Sequence, residues 1–331
     1  MRLEEESIVG RNARVMQKAL ATAAAALLLV QGAASVAADG PAAAAVSPDS
    51  SGTGRFAPFK QEVASLPDHV VYMPRDLAAL GQKKLGVYIF GNGGCSPDGA
   101  SSRQHLLEIA SHGYLVIAPG RILSGPGAPP QPAEPPRPQA PAGAPPGKLR
   151  AGNPASSLTD AIDWALRENN RAGSPLQGRI DPGQIAVSGW SCGGLQALAV
   201  AADPRIKTVV IMNSGLFPDG SNPIEGINVN KSQLARLHGS ILYVLGGKTD
   251  IAYPNGTDDY QRISQIPATL VNIPVGHGGT YNQPNGGLAA QVVVAWLEWK
   301  LRGDAAAARQ FTGDECGLCR RTDLTIERKN F

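Results

Sequence analysis

The stretch that decides the fold is Val187-Ser188-Gly189-Trp190-Ser191-Cys192-Gly193-Gly194. Residues 184–188 are short and largely apolar, which is typical of a buried strand, and residues 193–202 are small and rich in Ala and Leu, which is typical of a helix. Ser191 is therefore predicted to lie at a strand-to-helix turn, where flanking glycines allow a bend tight enough to raise its hydroxyl above a sheet. The alternative is a Gly/Ser turn without chemistry, and the rest of the chain decides between the two.

Strand and helix patterns alternate along most of the chain. Strands are predicted at 85–90, 114–119, 184–188, 207–212, 240–245 and 268–275, with a weaker one at 63–73, and helices at 101–112, 156–170, 193–202, 231–237, 257–266 and 287–301. This alternation predicts an α/β fold with a mostly parallel, doubly wound central sheet and helices on both faces. Such sheets place their chemistry at the carboxyl ends of the strands.

Three residues suited to nucleophilic catalysis each follow a different predicted strand: Ser191, Asp250 and His277. Because parallel strands end at the same edge of a sheet, folding is expected to bring them together. His277 would then take the proton of Ser191, while Asp250 would fix the imidazole tautomer. Asp258 and Asp259 are competing acids, but their place at the predicted start of helix 257–266 favours a capping role.

A second glycine-rich stretch, Gly91-Asn92-Gly93-Gly94-Cys95, directly follows the strand at 85–90. Glycines at the carboxyl end of a strand leave backbone N–H groups uncovered, and such groups can stabilise a developing oxyanion. A plain turn is the alternative reading of these residues.

At these residues the chain resembles the secreted serine esterases of the α/β-hydrolase superfamily, over about residues 85–301. The order Ser, Asp, His is that of the superfamily. The elbow Gly189-Trp190-Ser191-Cys192-Gly193-Gly194 is also similar to the Gly-Trp-Ser-Met-Gly-Gly of some bacterial PET hydrolases and cutinases and to the elbow of dienelactone hydrolases, although the loop at 276–281 is unlike that of the PET hydrolases and cutinases. The resemblance implies an α/β-hydrolase fold and an oxyanion hole made by the backbone N–H groups of Cys192 and Gly94, with Cys95 as the alternative to Gly94.

The composition is that of a globular protein: 331 residues, 43% of them hydrophobic, with a net charge of +3. This length suits one large α/β domain, and the absence of a basic run argues against a nucleic-acid partner. Residues 1–38 are predicted to form a signal peptide, because basic residues precede a short apolar run and then small residues; Met16 is an alternative start. The mature protein is therefore expected to be secreted or periplasmic, without a membrane span.

Composition also divides the rest of the chain. Residues 39–54 are expected to be a disordered leader, residues 55–302 the catalytic domain, and residues 303–331 a polar tail. The insert at 124–148 is mostly Pro, Ala and Gly and has little to bury. It is expected to be either a passive spacer or a flap over the cleft.

Export permits disulfides among the four cysteines. Cys95 and Cys192 belong to loops that are neighbours in the resembling fold, which implies a disulfide between them; two buried thiols are the alternative. Cys316 and Cys319 are expected to form a local disulfide, because no second pair completes a zinc site and no strand-to-helix turn supports a redox motif. No metal or organic cofactor is expected.

The sequence therefore predicts a secreted serine hydrolase that cleaves a small-molecule or polymeric carboxylic ester through an acyl-enzyme. Candidates for the substrate pocket are Trp190, Phe217, Tyr253 and Tyr281. The alternatives are a polyesterase of the cutinase or PET-hydrolase kind, a secreted serine peptidase, and a binding module on a hydrolase scaffold. Nothing in the sequence indicates the length of the acyl group or the oligomeric state.

Overall fold

The computed structural model describes residues 47–130 and 149–331. The signal peptide at 1–38, residues 39–46 and residues 131–148 of the insert lie outside the described residues. The strands are β1 (Pro58–Val63), β2 (Leu66–Pro74), β3 (Leu85–Gly91), β4 (Tyr114–Pro119), β5 (Leu149–Arg150), β6 (Ile180–Trp190), β7 (Thr208–Met212), β8 (Ile224–Glu225), β9 (Ser240–Leu245), β10 (Ala268–Asn272) and β11 (Thr325–Lys329). The α-helices are α1 (Arg103–Ser111), α2 (Ser156–Asn170), α3 (Cys192–Val200), α4 (Tyr253–Arg262), α5 (Gly287–Arg302) and α6 (Ala305–Ala308).

Within the described residues, nine strands form one sheet in the order β1-β2-β4-β3-β6-β7-β9-β10-β11. The six central strands, from β4 to β10, are parallel, and the outer pairings β1·β2, β2·β4 and β10·β11 are antiparallel. The predicted α/β fold with a mostly parallel sheet is therefore confirmed. Strands β3, β6, β7, β9 and β10 all deliver their carboxyl ends to one edge of the sheet.

Side chains of β3 show how both faces of the sheet are covered. Val87 and Ile89 point into a core shared with α2, α3 and α4. Tyr88 and Phe90 point into a second core shared with α1 and α5. This alternation follows from the two-residue period of a strand, and burial on both faces explains the continuous apolar runs. Among the described helices, none combines the length and apolar character that crossing a bilayer requires.

The amino-terminal region differs from the sequence prediction in two respects. The single weak strand predicted at 63–73 is a hairpin, formed by β1 and β2. Residues 47–54, assigned to a disordered leader, lie against α1, where Ser50 N–H donates to Gln104 Oε1 (2.7 Å) and Thr53 N–H to Glu108 Oε2 (2.8 Å). Polar side chains of the helix thus satisfy the backbone of a segment that has little apolar surface of its own.

The carboxyl-terminal residues belong to the domain rather than to a polar tail. Strand β11 pairs antiparallel with β10 and supplies the last strand of the sheet, and Leu318 and Leu324 are buried in the second core. The sulfurs of Cys316 and Cys319 lie at disulfide distance, as expected. An edge strand needs few apolar residues because its partner supplies backbone hydrogen bonds, so composition alone concealed it.

Helix α4 begins at Tyr253, four residues before its predicted start, because proline is compatible with the first turn of a helix. Asp258 and Asp259 therefore lie in the second half of α4 and are not capping residues. Asp258 pairs with Lys231 (2.7 Å) and Arg262 (2.8 Å).

Asp259 is fully buried beneath the loop that follows β7. It pairs with Lys231 (2.6 Å) and accepts hydrogen bonds from Leu216 N–H (2.7 Å) and the Tyr243 hydroxyl (3.3 Å). Burial raises the pKa of Asp259 from 3.8 to about 6 and outweighs the opposing effect of Lys231 and the hydrogen bonds.

Because the pKa of Asp259 is higher in the folded protein, its contribution to stability is complete below about pH 4 and is lost as the pH rises through about 6. We therefore expect the free energy of unfolding of Asp259→Asn to increase by about 3 kcal/mol relative to that of the wild type as the pH rises from about 4 to about 7, measured by urea unfolding. Asp258→Asn is the matched control, since the Arg262 hydrogen bond lowers the pKa of Asp258 to about 2 and its contribution is lost only in acid. If the free energy of unfolding depended on pH in the same way in both variants, the raised pKa of Asp259 would be contradicted.

Candidate active site

The turn between β6 and α3 holds Ser191 in a backbone conformation that side-chain-bearing residues rarely adopt. Its φ is 54° and its ψ is −121°. Ser191 N–H donates to the Met212 carbonyl (3.0 Å), and the Ser191 carbonyl accepts from the Ser214 hydroxyl (2.7 Å). The backbone of the serine is thus fixed on both sides, and such strain costs about 1–3 kcal/mol.

Three glycines make this turn possible because the elbow and strand β3 touch through their backbones. A Cβ at Gly91 would lie 2.6 Å from the carbonyl oxygen of Gly193. A Cβ at Gly189 or Gly193 would overlap the backbone facing it. A side chain at Gly91 or Gly193 would push β3 and the elbow apart, and one at Gly189 would push β6 away from the start of α3, which is the physical reason for glycine at these positions.

Ser191, His277 and Asp250 form a continuous hydrogen-bonded chain at the carboxyl ends of β6, β10 and β9. The Ser191 hydroxyl donates to His277 Nε2 (2.9 Å), and His277 Nδ1–H donates to Asp250 Oδ1 (2.6 Å). The imidazole is partly exposed, whereas Asp250 is buried. This arrangement can remove the proton of the serine as its oxygen attacks an electrophile, and it stabilises the imidazolium that results.

Asp250 is held as a carboxylate by a ring of donors. Burial alone would raise its pKa, but hydrogen bonds from His277, Ala252 N–H, Gly246 N–H and Asn213 outweigh burial and hold the pKa of Asp250 below its ordinary value of 3.8. The two backbone donors lie 2.9 Å from the carboxylate, and Asn213 Nδ2 lies 2.8 Å from it. An acid that stays ionised can keep the imidazole in one orientation.

Asn213 is a site residue that sequence reasoning missed. It directly follows β7, and the Tyr281 hydroxyl donates to its Oδ1. That bond fixes the amide so that Nδ2 points to Asp250 Oδ2 and to the Gly276 carbonyl (3.2 Å). Its position just after a parallel strand, like that of Asp250, was the available signal, although an asparagine before a serine also reads as an ordinary turn.

Trp190 and Tyr281, two pocket candidates, support the catalytic loops instead of lining the cavity beside Ser191. Trp190 Nε1–H donates to the His277 carbonyl (3.0 Å), and its ring lies 4.7 Å from that of Tyr281. Its other neighbour is Gly93, where a Cβ would overlap the indole. Tyr281 is buried. The two rings therefore join the elbow to the glycine-rich loop and to the loop that carries His277.

The donor roles expected for Gly94 and Cys192 fit the local hydrogen bonding. The N–H of Cys95, the alternative donor, already donates to the Asn92 carbonyl (3.0 Å). Gly94 is exposed, with φ of 64°, and Cys192 is the first residue of α3, where an N–H has no acceptor within the helix. Of the three N–H groups predicted from the sequence, that of Cys95 is engaged, so Gly94 and Cys192 stay the candidates for an oxyanion hole.

A covalent link holds these two loops together. The sulfurs of Cys95 and Cys192 lie at disulfide distance, with their Cα atoms 5.2 Å apart. Within residues 47–130 and 149–331 no cysteine is free, and no three His, Cys, Asp or Glu side chains cluster closely enough to hold a metal ion. The link joins the residue after the nucleophile to the glycine-rich loop, so the two candidate donors keep their separation.

Of the four pocket candidates, only Phe217 lines the cavity that opens beside Ser191. That cavity has a volume of about 270 Å³. Tyr253, at the start of α4, lines a separate cavity of about 300 Å³ with Lys248 and Thr325. Tyr253 thus lies in the first turn of α4, on a side of the helix that faces away from the cavity beside Ser191.

We expect Asn213→Ala to slow covalent labelling of Ser191 by a fluorophosphonate about 10- to 100-fold, because a hydrogen bond to a charged group is lost. The acid limb of the labelling rate should also move to higher pH, since Asp250 loses a donor that lowers its pKa. Tyr281→Phe should shift both quantities in the same direction by less.

Tyr260→Phe is the matched control, because it removes a hydroxyl far from the triad. Labelling rates and acid limbs that are the same in all these proteins, or an effect explained by a lowered melting temperature alone, would show that Asn213 does not position Asp250.

Comparison with known proteins adds no family to these observations, since no family model matches the chain and no curated protein matches it either.

Proposed function

We propose that this chain is a secreted serine hydrolase of the α/β-hydrolase kind that cleaves carboxylic esters through an acyl-enzyme. The observation that carries the proposal is the hydrogen-bonded chain from Ser191 Oγ through His277 to Asp250, with distances of 2.9 Å and 2.6 Å. The strained backbone of Ser191 at a strand-to-helix turn supports the proposal, as does the position of Ser191, Asp250 and His277 after three parallel strands of one sheet, β6, β9 and β10.

In the first half of the reaction, Ser191 Oγ attacks the ester carbonyl carbon while His277 Nε2 takes the hydroxyl proton. The carbonyl oxygen becomes an oxyanion, and the N–H groups of Cys192 and Gly94 are the donors available to it. When the intermediate collapses, the bond to the alcohol oxygen breaks and His277 returns the proton to that oxygen. The acyl group stays on Ser191 as an ester.

In the second half, a water molecule takes the place of the alcohol beside His277. His277 Nε2 removes one proton as the water oxygen attacks the acyl carbon, and the same two N–H groups face the second oxyanion. Collapse breaks the bond to Ser191 Oγ, which recovers the proton from His277. The products are a carboxylic acid and the free enzyme.

The lining of the cavity supports an ester substrate over a peptide. Its polar side chains are few, and apart from His277 they are those of serine and asparagine. A bound peptide brings N–H and C=O groups that must be satisfied when they leave water, whereas an ester brings one carbonyl and no N–H donor.

Secretion is part of the proposal and is supported by the cysteines. Both pairs in the described part of the chain lie at disulfide distance, and disulfides persist in oxidising compartments outside the cytosol. The predicted signal peptide at 1–38 supports the same location.

The test compares the hydrolysis of p-nitrophenyl esters by the protein starting at about residue 39 with hydrolysis by Ser191→Ala and His277→Ala. Loss of the nucleophile or the base should lower kcat about 10⁴- to 10⁶-fold. Ser232→Ala, an exposed serine outside the cleft, is the matched control and should keep full activity.

A p-nitroanilide of the same acyl group separates ester from amide cleavage. Faster turnover of the amide would favour the peptidase alternative. Ester hydrolysis that survives in Ser191→Ala, or that is absent from every protein, would contradict the proposed function.

A further inference from the structure

The cavity beside Ser191 has a buried floor and an accessible rim. Its floor is formed by Cys192, Leu195, Ser214 and Ala252, which are nine-tenths or more buried. Its rim carries the side chains that solvent can reach: Phe217, Pro223, Ile224, Ile251 and Asn255. The cavity therefore begins at the nucleophile and widens towards solvent between the loop after β7 and the start of α4.

The lining is mostly apolar. Among the described residues that line it, His277 has the one ionisable side chain, and the other polar groups are those of serine and asparagine. Ile251, next to the catalytic acid, is 78% exposed, which makes it the most exposed large apolar side chain in the described part of the chain. An apolar group in the cavity would cover this surface, and a charged group would find no partner there.

We propose that this cavity is the acyl pocket of the enzyme and that it takes an uncharged, apolar acyl group of about six to eight carbons, as a chain or as one aromatic ring. The inference rests on the proposed function. It adds the chemical class of the acyl group, which the sequence did not indicate.

The size of the acyl group follows from the volume of about 270 Å³. A dry cavity of about 150 Å³ lined by Leu, Ile and Phe holds one benzene molecule, and pockets for drug-sized ligands begin at about 300 Å³. The pocket thus has room for somewhat more than one benzene ring. Acetyl leaves most of it empty, and dodecanoyl exceeds it.

The acyl group, rather than the alcohol, suits a pocket with a buried floor. The acyl group stays on Ser191 through both halves of the reaction, whereas the alcohol must leave before water can attack. Cys192, whose N–H is a candidate oxyanion donor, belongs to the floor, so the pocket starts beside the carbonyl carbon. His277 lies at the partly exposed side, where the alcohol leaves and water enters.

Two short strands hold one wall of this pocket. β8, which contains Ile224, pairs with β5 at the residues that follow the Pro-rich insert, with Leu149 opposite Ile224. Ala151 N–H donates to the Glu225 carbonyl (3.0 Å), and Gly152 N–H donates to the Cys95 carbonyl (3.0 Å). Residues 149–152, which directly follow the insert, are therefore anchored both to the pocket wall and to the glycine-rich loop.

The test measures kcat/KM for p-nitrophenyl acetate, butyrate, hexanoate, octanoate and dodecanoate. p-Nitrophenyl benzoate is added as the ester with an aromatic acyl group. We expect about a fourfold rise for each methylene added until the pocket is full, followed by a fall at dodecanoate. A benzoate value well above that of hexanoate identifies a ring pocket, and the reverse identifies a chain pocket.

Two variants change the pocket in opposite directions. Asn255→Phe narrows it and should move the maximum to butyrate or shorter esters, with at least a tenfold loss on octanoate. Phe217→Ala widens it and should move the maximum to longer esters. Val275→Ser is the matched control, because Val275 is 46% exposed near His277 but does not line the cavity. Its profile should equal that of the wild type.

Three results would overturn the proposal while hydrolysis still depends on Ser191. The first is a wild-type kcat/KM that is independent of acyl length or falls from acetate onward. The second is that Asn255→Phe and Phe217→Ala have the same dependence on acyl length as the wild type. The third is that Val275→Ser shifts this dependence as the two pocket variants do.

A binding measurement keeps the proposal separate from the proposed function. Isothermal titration of hexanoate and benzoate into Ser191→Ala tests the pocket without turnover. If no ester is hydrolysed but one of these acids binds and Asn255→Phe, which narrows the pocket, abolishes binding, the proposed function fails and the pocket stands. If esters are hydrolysed with a flat profile and neither acid binds, the function stands and the pocket fails.

Discussion

The site depends on one backbone contact, between the elbow that carries Ser191 and the end of strand β3. Gly91, Gly189 and Gly193 meet there without side chains, so the two segments approach more closely than any other residue type would allow. The turn after β6 lies at this contact, and Ser191 has a positive φ of 54° there. The strain, about 1–3 kcal/mol, is sustained because β3 and β6 are central strands buried on both faces. The hydroxyl is therefore positioned before any substrate arrives.

The other site residues attach to this contact by short, directional links. The Cys95–Cys192 pair joins the glycine-rich loop to the first residue of α3. Trp190 packs against that loop, and its indole N–H donates to the His277 carbonyl. The Tyr281 hydroxyl donates to Asn213, and Asn213 donates to Asp250, so these two hydrogen bonds fix the orientation of the Asp250 carboxylate. Each link joins the ends of different strands. The sheet thus sets the positions of Ser191, His277 and Asp250 relative to one another and to the candidate oxyanion donors, which is the kind of preorganisation that the proposed function requires.

The sequence predicts those strands and helices that local residue patterns determine. Strands β4 and β9 and helix α2 have the predicted bounds, because continuous apolar runs and a helical period end in clear turn residues. The α/β architecture follows from that alternation. The start of α4 was predicted four residues too late and strand β11 was missed, the latter because residues 325–329 are mostly polar. The positions of Asn213 and Tyr253 depend on long-range packing, which local sequence patterns do not reveal.

The most direct test of the central claim is to trap the acyl group on the serine. A p-nitrophenyl ester is mixed with the protein, quenched in acid within the first turnovers and digested with trypsin after reduction. Ser191 lies in the peptide 180–205, which contains no internal Lys or Arg. The account predicts one added acyl group on that peptide, at Ser191, and none in Ser191→Ala. Rapid hydrolysis without an adduct there, or an adduct on another residue, would contradict it.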